Sequence, residues 1–309
     1  MTLERTRKVG LVLKAYETLE GAGVRLKRVF GGTSTAKFTD PFLLLDHFGS
    51  NKVEDYIAGF PWHPHRGIET VTYLLEGKVE HQDSEGNKGV IYPNDLQWMT
   101  AGSGIFHQEM PRPLDQKNEY DLLQTVGLPT SVVGFQLWIN LPAKSKMSTP
   151  TYRGIKGKNV PVEPLEHGGK VKVVAGEFKG VQGVLEAGAS VDPSYFDVVL
   201  PPEGEFTTKV KNGYTVIAYV VSGSGTFDDH ASATIGAGNA VVYSQEGNSV
   251  WIRASEKGLR LLLFSGRPIR EPIAWYGPIV MNTKEEIIQA LEDLRRGTFV
   301  KQKHPVFVE

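Results

Sequence analysis

Phe60-Pro61-Trp62-His63-Pro64-His65-Arg66-Gly67-Ile68-Glu69-Thr70 holds two histidines separated by a single proline. In a β-strand, residues i and i+2 point to one face with Cα atoms about 6.6 Å apart, so His63 and His65 would present two imidazoles in one direction. Pro64 removes an amide donor and keeps the backbone extended, which suits an edge strand at the mouth of a barrel. A second pair, His107 and Glu109 in His107-Gln108-Glu109, answers the first. The two pairs together offer three imidazoles and one carboxylate, a set matched to a divalent metal. A lone histidine is more often a core or surface residue, and His47, His81, His167, His230 and His304 are read that way.

The chain has 309 residues, enough for two domains at about 150 residues each. Lys and Arg total 34 against 35 Asp and Glu, a net charge of -1, with no basic block to follow a phosphate backbone. Direct nucleic-acid binding is not expected. No apolar run approaches the roughly 18 residues of a spanning helix, and no signal-peptide core follows the N-terminus, so a soluble, cytoplasmic protein without a membrane partner is expected. The absence of cysteine removes disulfides, thiolate ligands, iron–sulfur clusters and cysteine nucleophiles together. Any metal must be held by nitrogen and oxygen.

Around the histidines, the 34 glycines and 18 prolines separate short segments rich in Val, Ile, Tyr and Phe, such as Thr70–Leu75 and Gly134–Ile139. This pattern predicts an all-β fold of sandwiches or barrels. The halves resemble copies of each other. Tyr73-Leu74-Leu75-Glu76-Gly77 matches Tyr219-Val220-Val221-Ser222-Gly223 at an offset of 146, and Ile91–Asp95 resembles Ile235–Asn239 at 144. Pro-rich sequence from Pro142 to Pro164 reads as the connection, giving an N-terminal metal-binding domain 1–140 and a C-terminal degenerate domain 141–309. The same offsets place Lys209, Lys211, Trp251 and Arg253 where His63, His65, His107 and Glu109 stand, so the second domain should be metal-free.

Near the C-terminus, Thr283 and Glu286 form a capping box, Ile287, Ile288, Leu291 and Leu294 are assigned to one apolar face, and Gly297 ends the helix. At the metal set, four protein ligands could close a tetrahedral zinc site. An octahedral ion, among Fe(II), Mn(II), Ni(II), Co(II) and Cu(II), would keep two positions open. Glu69, four residues after His65, is open to three readings: ligand, acceptor for an imidazole N–H, or partner of Arg66.

These residues, with Asp40-Pro41-Phe42-Leu43-Leu44-Leu45-Asp46, Asp95–Gly102, Gly104-Ile105, His107–Pro111, Arg270-Glu271-Pro272 and Gly277–Thr283, make the chain resemble the pirins, two-domain members of the cupin superfamily. The likeness covers nearly the whole chain. It implies a bicupin of two facing antiparallel, jelly-roll β-barrels with a short C-terminal helix. It also implies one metal ion, iron first, held by His63, His65, His107 and Glu109, with Glu69 moved behind the ligands.

The resemblance implies quercetin 2,3-dioxygenase activity, in which a flavonol is opened by dioxygen with release of carbon monoxide. Glu109 would then be both ligand and catalytic base, and Phe42, Phe60, Trp98 and Phe106 would wall the pocket. The rival expectation is a metal-dependent regulatory protein resembling a transcription cofactor, with a protein partner and possible nuclear location. The balanced charge and the lack of basic targeting clusters favour the enzyme. A monomer suffices for either role.

Overall fold

The computed structural model describes residues 5–114, 130–185, 191–229 and 233–301. His230 and His304 lie outside the described residues. The chain forms two compact units that interleave in sequence. One contains Glu17–Ser34, Phe42–Lys158 and the chain from Arg270 onward; the other contains the chain up to Tyr16, Thr35–Pro41 and Asn159–Ile269. A single boundary near residue 140 does not describe this arrangement. Strand Val9–Lys14 pairs with Asn239–Tyr243, completing a sheet edge of the second unit, while the C-terminal helix packs on the unit that carries the histidines. Both terminal segments pair with partners remote in sequence, which leaves no local signal of the crossover.

The histidine-bearing unit is built from a seven-stranded and a four-stranded sheet. The smaller one runs, in spatial order, Phe60–His65, Ile105–Arg112, Lys78–Asp83 and Lys88–Ile91, all antiparallel. Phe60–His65 pairs on one side only, as its two prolines require. At the centre of the larger sheet Ile68–Glu76 lies between Leu96–Thr100 and Val132–Asn140. Val24, Leu26, Phe48, Tyr56, Leu74 and Val132 are among the buried side chains of one core cluster. No helix among the described residues is long and apolar enough to cross a membrane.

Helix Lys284–Arg296 has the expected capping box and a left-handed Gly297 at its end. Its buried face, however, is Ile287, Ala290 and Asp293, with Leu294 partly covered, while Ile288 is 57% exposed. The helix is turned from the expected face because buried Asp293 meets the Arg66 guanidinium at 2.8 Å.

In the other unit, strand Glu205–Lys209 pairs with the start of Ser249–Gly266, which is the counterpart of the pairing between Phe60–His65 and Ile105–Arg112. Lys209, Lys211 and Arg253 are exposed and Trp251 is half-buried. Phe206, Thr208, Ile252 and Ala254 point inward instead, so the repeat offsets miss the inward positions. A one-residue slip exchanges the two faces of a strand. Among the described residues, the groups able to hold a metal all lie in the histidine-bearing unit.

Candidate metal centre

His63, His65 and His107 converge inside the histidine-bearing unit. His107 pairs with His63 and Ile105 with His65 across the two strands, so alternation aims all three imidazoles to one side. A bulge between His107 and Glu109 shifts the register so that Glu109 pairs with Phe60, and the extra residue falls where Pro61 has no N–H to give. His65 and His107 are 1% and 0% exposed, and His63 is half-buried.

Two backbone carbonyls fix the tautomers. His63 Nδ1 lies 2.8 Å from the Pro61 oxygen and His65 Nδ1 lies 3.2 Å from the Pro278 oxygen. A carbonyl only accepts, so each Nδ1 carries the proton and each Nε2 a bare lone pair. Yet His63 Nε2 stands 3.0 Å from His65 Nε2 and 2.9 Å from His107 Nε2. Lone pairs at that range repel unless a proton or a cation lies between them. Burial pushes the pKa of His65 and of His107 well below the ordinary imidazole value, with the neighbouring imidazoles adding to the effect, so protonation is disfavoured. A metal cation fits.

Glu109 is 6% exposed, lines the same cavity, and lies with His81 and His107 in a second potential ligand group. Its Oε1 accepts from the Thr72 hydroxyl at 2.7 Å and its Oε2 from Gln136 Nε2 at 3.3 Å. Thr72 and Gln136 were not anticipated from sequence. Both stand at inward positions of neighbouring strands, where alternation alone does not separate a polar core residue from a functional one.

Glu69 is elsewhere. The strand carrying His65 ends at that residue, Gly67 turns with φ 80°, and a new strand begins at Ile68. Thr72 reaches Glu109, so Glu69, three residues earlier on the same strand, faces away from the imidazoles. It accepts from the Thr100 hydroxyl at 2.8 Å, and burial pushes its pKa up. The acceptors behind the ligands are the carbonyls of Pro61 and Pro278 instead. Glu69→Gln is therefore expected to leave metal affinity at the parental value, as read by competition with a chelator. A tenfold loss would return Glu69 to the ligand environment.

His63 and His65 open onto a cavity of about 690 Å³. Of the expected aromatic walls only Phe60 lines it. Phe42 and Trp98 are core residues at 1% and 3% exposure, and Phe106 packs on Phe299 with centroids 5.6 Å apart. The wall is made by Trp138 and Trp275, centroids 6.1 Å apart and tilted 31°, with Trp62, Leu44 and Val79. Arg28 lines the cavity too, held by Asp46 at 2.9 Å and Glu20 at 2.8 Å. Burial raises the Asp46 pKa against the hydrogen bonds from Arg28.

Comparison with known proteins agrees with this architecture. The family model described as Pirin matches residues 23–139, and that described as Pirin C-terminal cupin domain matches 195–300. A protein of Thermoplasma acidophilum, provisionally named a quercetin 2,3-dioxygenase, is 42% identical over 268 residues, covering 84% of this chain and 99% of its own. Another of that provisional name, from Pseudomonas aeruginosa, is 42% identical over 299 residues, covering 96% and 99%. The crystal structure of a quercetin 2,3-dioxygenase from Acinetobacter baumannii superposes with TM-score 0.83 at 32% identity, covering 96% of this chain and 99% of that one.

Proposed function

The chain belongs to the pirin family, and from that membership we propose that it is a metal-dependent dioxygenase of the quercetin 2,3-dioxygenase type, opening flavonols with dioxygen. The observation that carries this reading is the meeting of the unprotonated Nε2 atoms of His63 and His65 at 3.0 Å, with His107 Nε2 2.9 Å from that of His63. His63, His65, His107 and Glu109 would hold one divalent ion. Fe(II) is the first choice, since a sulfur-free set resembling a facial triad suits it, while Mn(II), Ni(II), Co(II) and Cu(II) share its ligand preferences. The names of the relatives and the aromatic-walled cavity support a flavonol as substrate and dioxygen as co-substrate.

When bound, the metal supplies the redox contact between dioxygen and substrate. The protein's own groups do the rest. Glu109 takes the proton of the flavonol hydroxyl at a carboxylate oxygen. Thr72 donates to one oxygen of that carboxylate and Gln136 to the other, which fixes its plane. Trp138 and Trp275 give a flat ring a surface to stack against and keep water from it.

The test is anaerobic loading with Fe(II), followed by oxygen uptake and carbon monoxide release with a panel of flavonols. One carbon monoxide per flavonol is expected. Glu109→Gln should keep most of its metal yet lose roughly 100-fold or more in turnover, the scale of a lost general base. Parental turnover in the metal-replete variant would remove Glu109 as base. A metal-loaded parent that consumes no oxygen with any flavonol would overturn the dioxygenase and leave the regulatory binding protein.

A further inference from the structure

One buried histidine has no place in that scheme. His81 lies on the strand Lys78–Asp83 directly across from Glu109, and Asp83 stands across from His107. His81 and Asp83 are 2% and 3% exposed. Neither ring nitrogen of His81 has a hydrogen-bond partner, and neither does Nδ1 of His107. The His81 ring lies flat against Tyr152, centroids 5.0 Å apart and planes 18° from parallel, and its edge approaches His107 at 5.6 Å. A ring nitrogen of His81, one of His107 and an oxygen of Glu109 fall within 4.8 Å of one another.

An orphaned buried polar atom is costly, so three on two neighbouring rings point to one shared arrangement. A histidine that ligates metal through one nitrogen donates the other N–H to an acceptor, which fixes its tautomer and raises its basicity. His63 and His65 do so to Pro61 and Pro278. His107 alone of the three lacks an acceptor.

The geometry points to His81, backed by Asp83, as a positioning residue that accepts the Nδ1–H of His107 and so aims its Nε2 at the metal. Asp83 Oδ2 is 3.6 Å from His81 Nε2 and favours the proton there, leaving Nδ1 of His81 as the acceptor. Ring nitrogens of His81 and His107 lie within 4.8 Å of each other, and one water between two ordinary hydrogen bonds spans about 4.5 Å. Stacking on Tyr152 holds the ring plane while it does so.

This rests on the metal centre proposed above, and the test separates the two. The full-length chain is stripped of metal and titrated with Co(II), following its visible bands, for the parent, His81→Leu, His81→Gln and Asp83→Asn. His81→Leu should bind Co(II) roughly 10–100-fold more weakly, with bands displaced at full occupancy. His81→Gln, whose amide oxygen can still accept, should recover most of that loss, and Asp83→Asn should fall between. Parental affinity and bands in His81→Leu would overturn the assignment, as would equal losses in the Leu and Gln variants. A parent that binds no Co(II) would overturn the metal centre itself.

Discussion

Metal content in His107→Ala is expected to fall from one ion per chain to none, the largest effect of any single substitution in this protein. His107 is fully buried and its Nε2 is 2.9 Å from His63 Nε2, so its removal leaves two imidazoles and a carboxylate around a space the chain cannot close. Stability should follow the metal. An ion present at 1,000 times its dissociation constant stabilises the folded state by about 4 kcal/mol, and a chelator removes that contribution. EDTA should therefore lower the unfolding temperature of the parent and leave that of His107→Ala unchanged. Full occupancy in His107→Ala by elemental analysis, or two ions per parental chain, would sink the assignment.

The second large effect lies next to the ligands. Arg66 is 2% exposed and its guanidinium donates to the Ser103 carbonyl at 2.7 Å, to Asp293 at 2.8 Å and to the Phe299 carbonyl at 2.8 Å. In Arg66→Met all three acceptors lose their donor in a buried setting. Breaking a buried pair by removing one partner costs about 3–5 kcal/mol, and the lower end is expected because Lys301 still reaches Asp293 at 2.7 Å. Amide hydrogen exchange across Lys284–Arg296 should then speed up by roughly 100-fold. The pH dependence has a definite sign. Burial raises the Asp293 pKa, but hydrogen bonds from Lys301, Arg66 and Gln289 outweigh it and hold it at about 2. A depressed carboxyl stabilises the fold above its unfolded value near 3.8 and loses that contribution as pH falls toward 2. The variant should lose part of this acid dependence, and unchanged exchange at pH 7 would show that the pair does not anchor the helix.

The meeting of His63, His65 and His107 was legible because strand alternation is a local rule that both strands follow. The capping box at Thr283 was legible for the same reason. What escaped were choices made by distant partners. Gly67 resets the alternation between His65 and Glu69, so counting residues across it misplaced the second carboxylate. The inward positions of the second unit were missed because a repeat offset measured on one strand does not fix the pairing of another. Asp293 went unnoticed on the helix because its partner Arg66 lies 227 residues away. Trp275 became a cavity wall through packing that no local pattern announces. His81 sits two residues before Asp83, the same spacing as the ligand pairs, and that spacing was the available signal.

His65 receives its orienting carbonyl from Pro278, and Arg66 beside it is neutralised by Asp293. Both lie more than 200 positions further along the chain. A ribosome that has released the three histidines has thus delivered His65 without the carbonyl that orients it, while Pro61 already stands beside His63. An ion held at the proposed site would meet a fully oriented His65 only once Pro278 has been translated and packed against it.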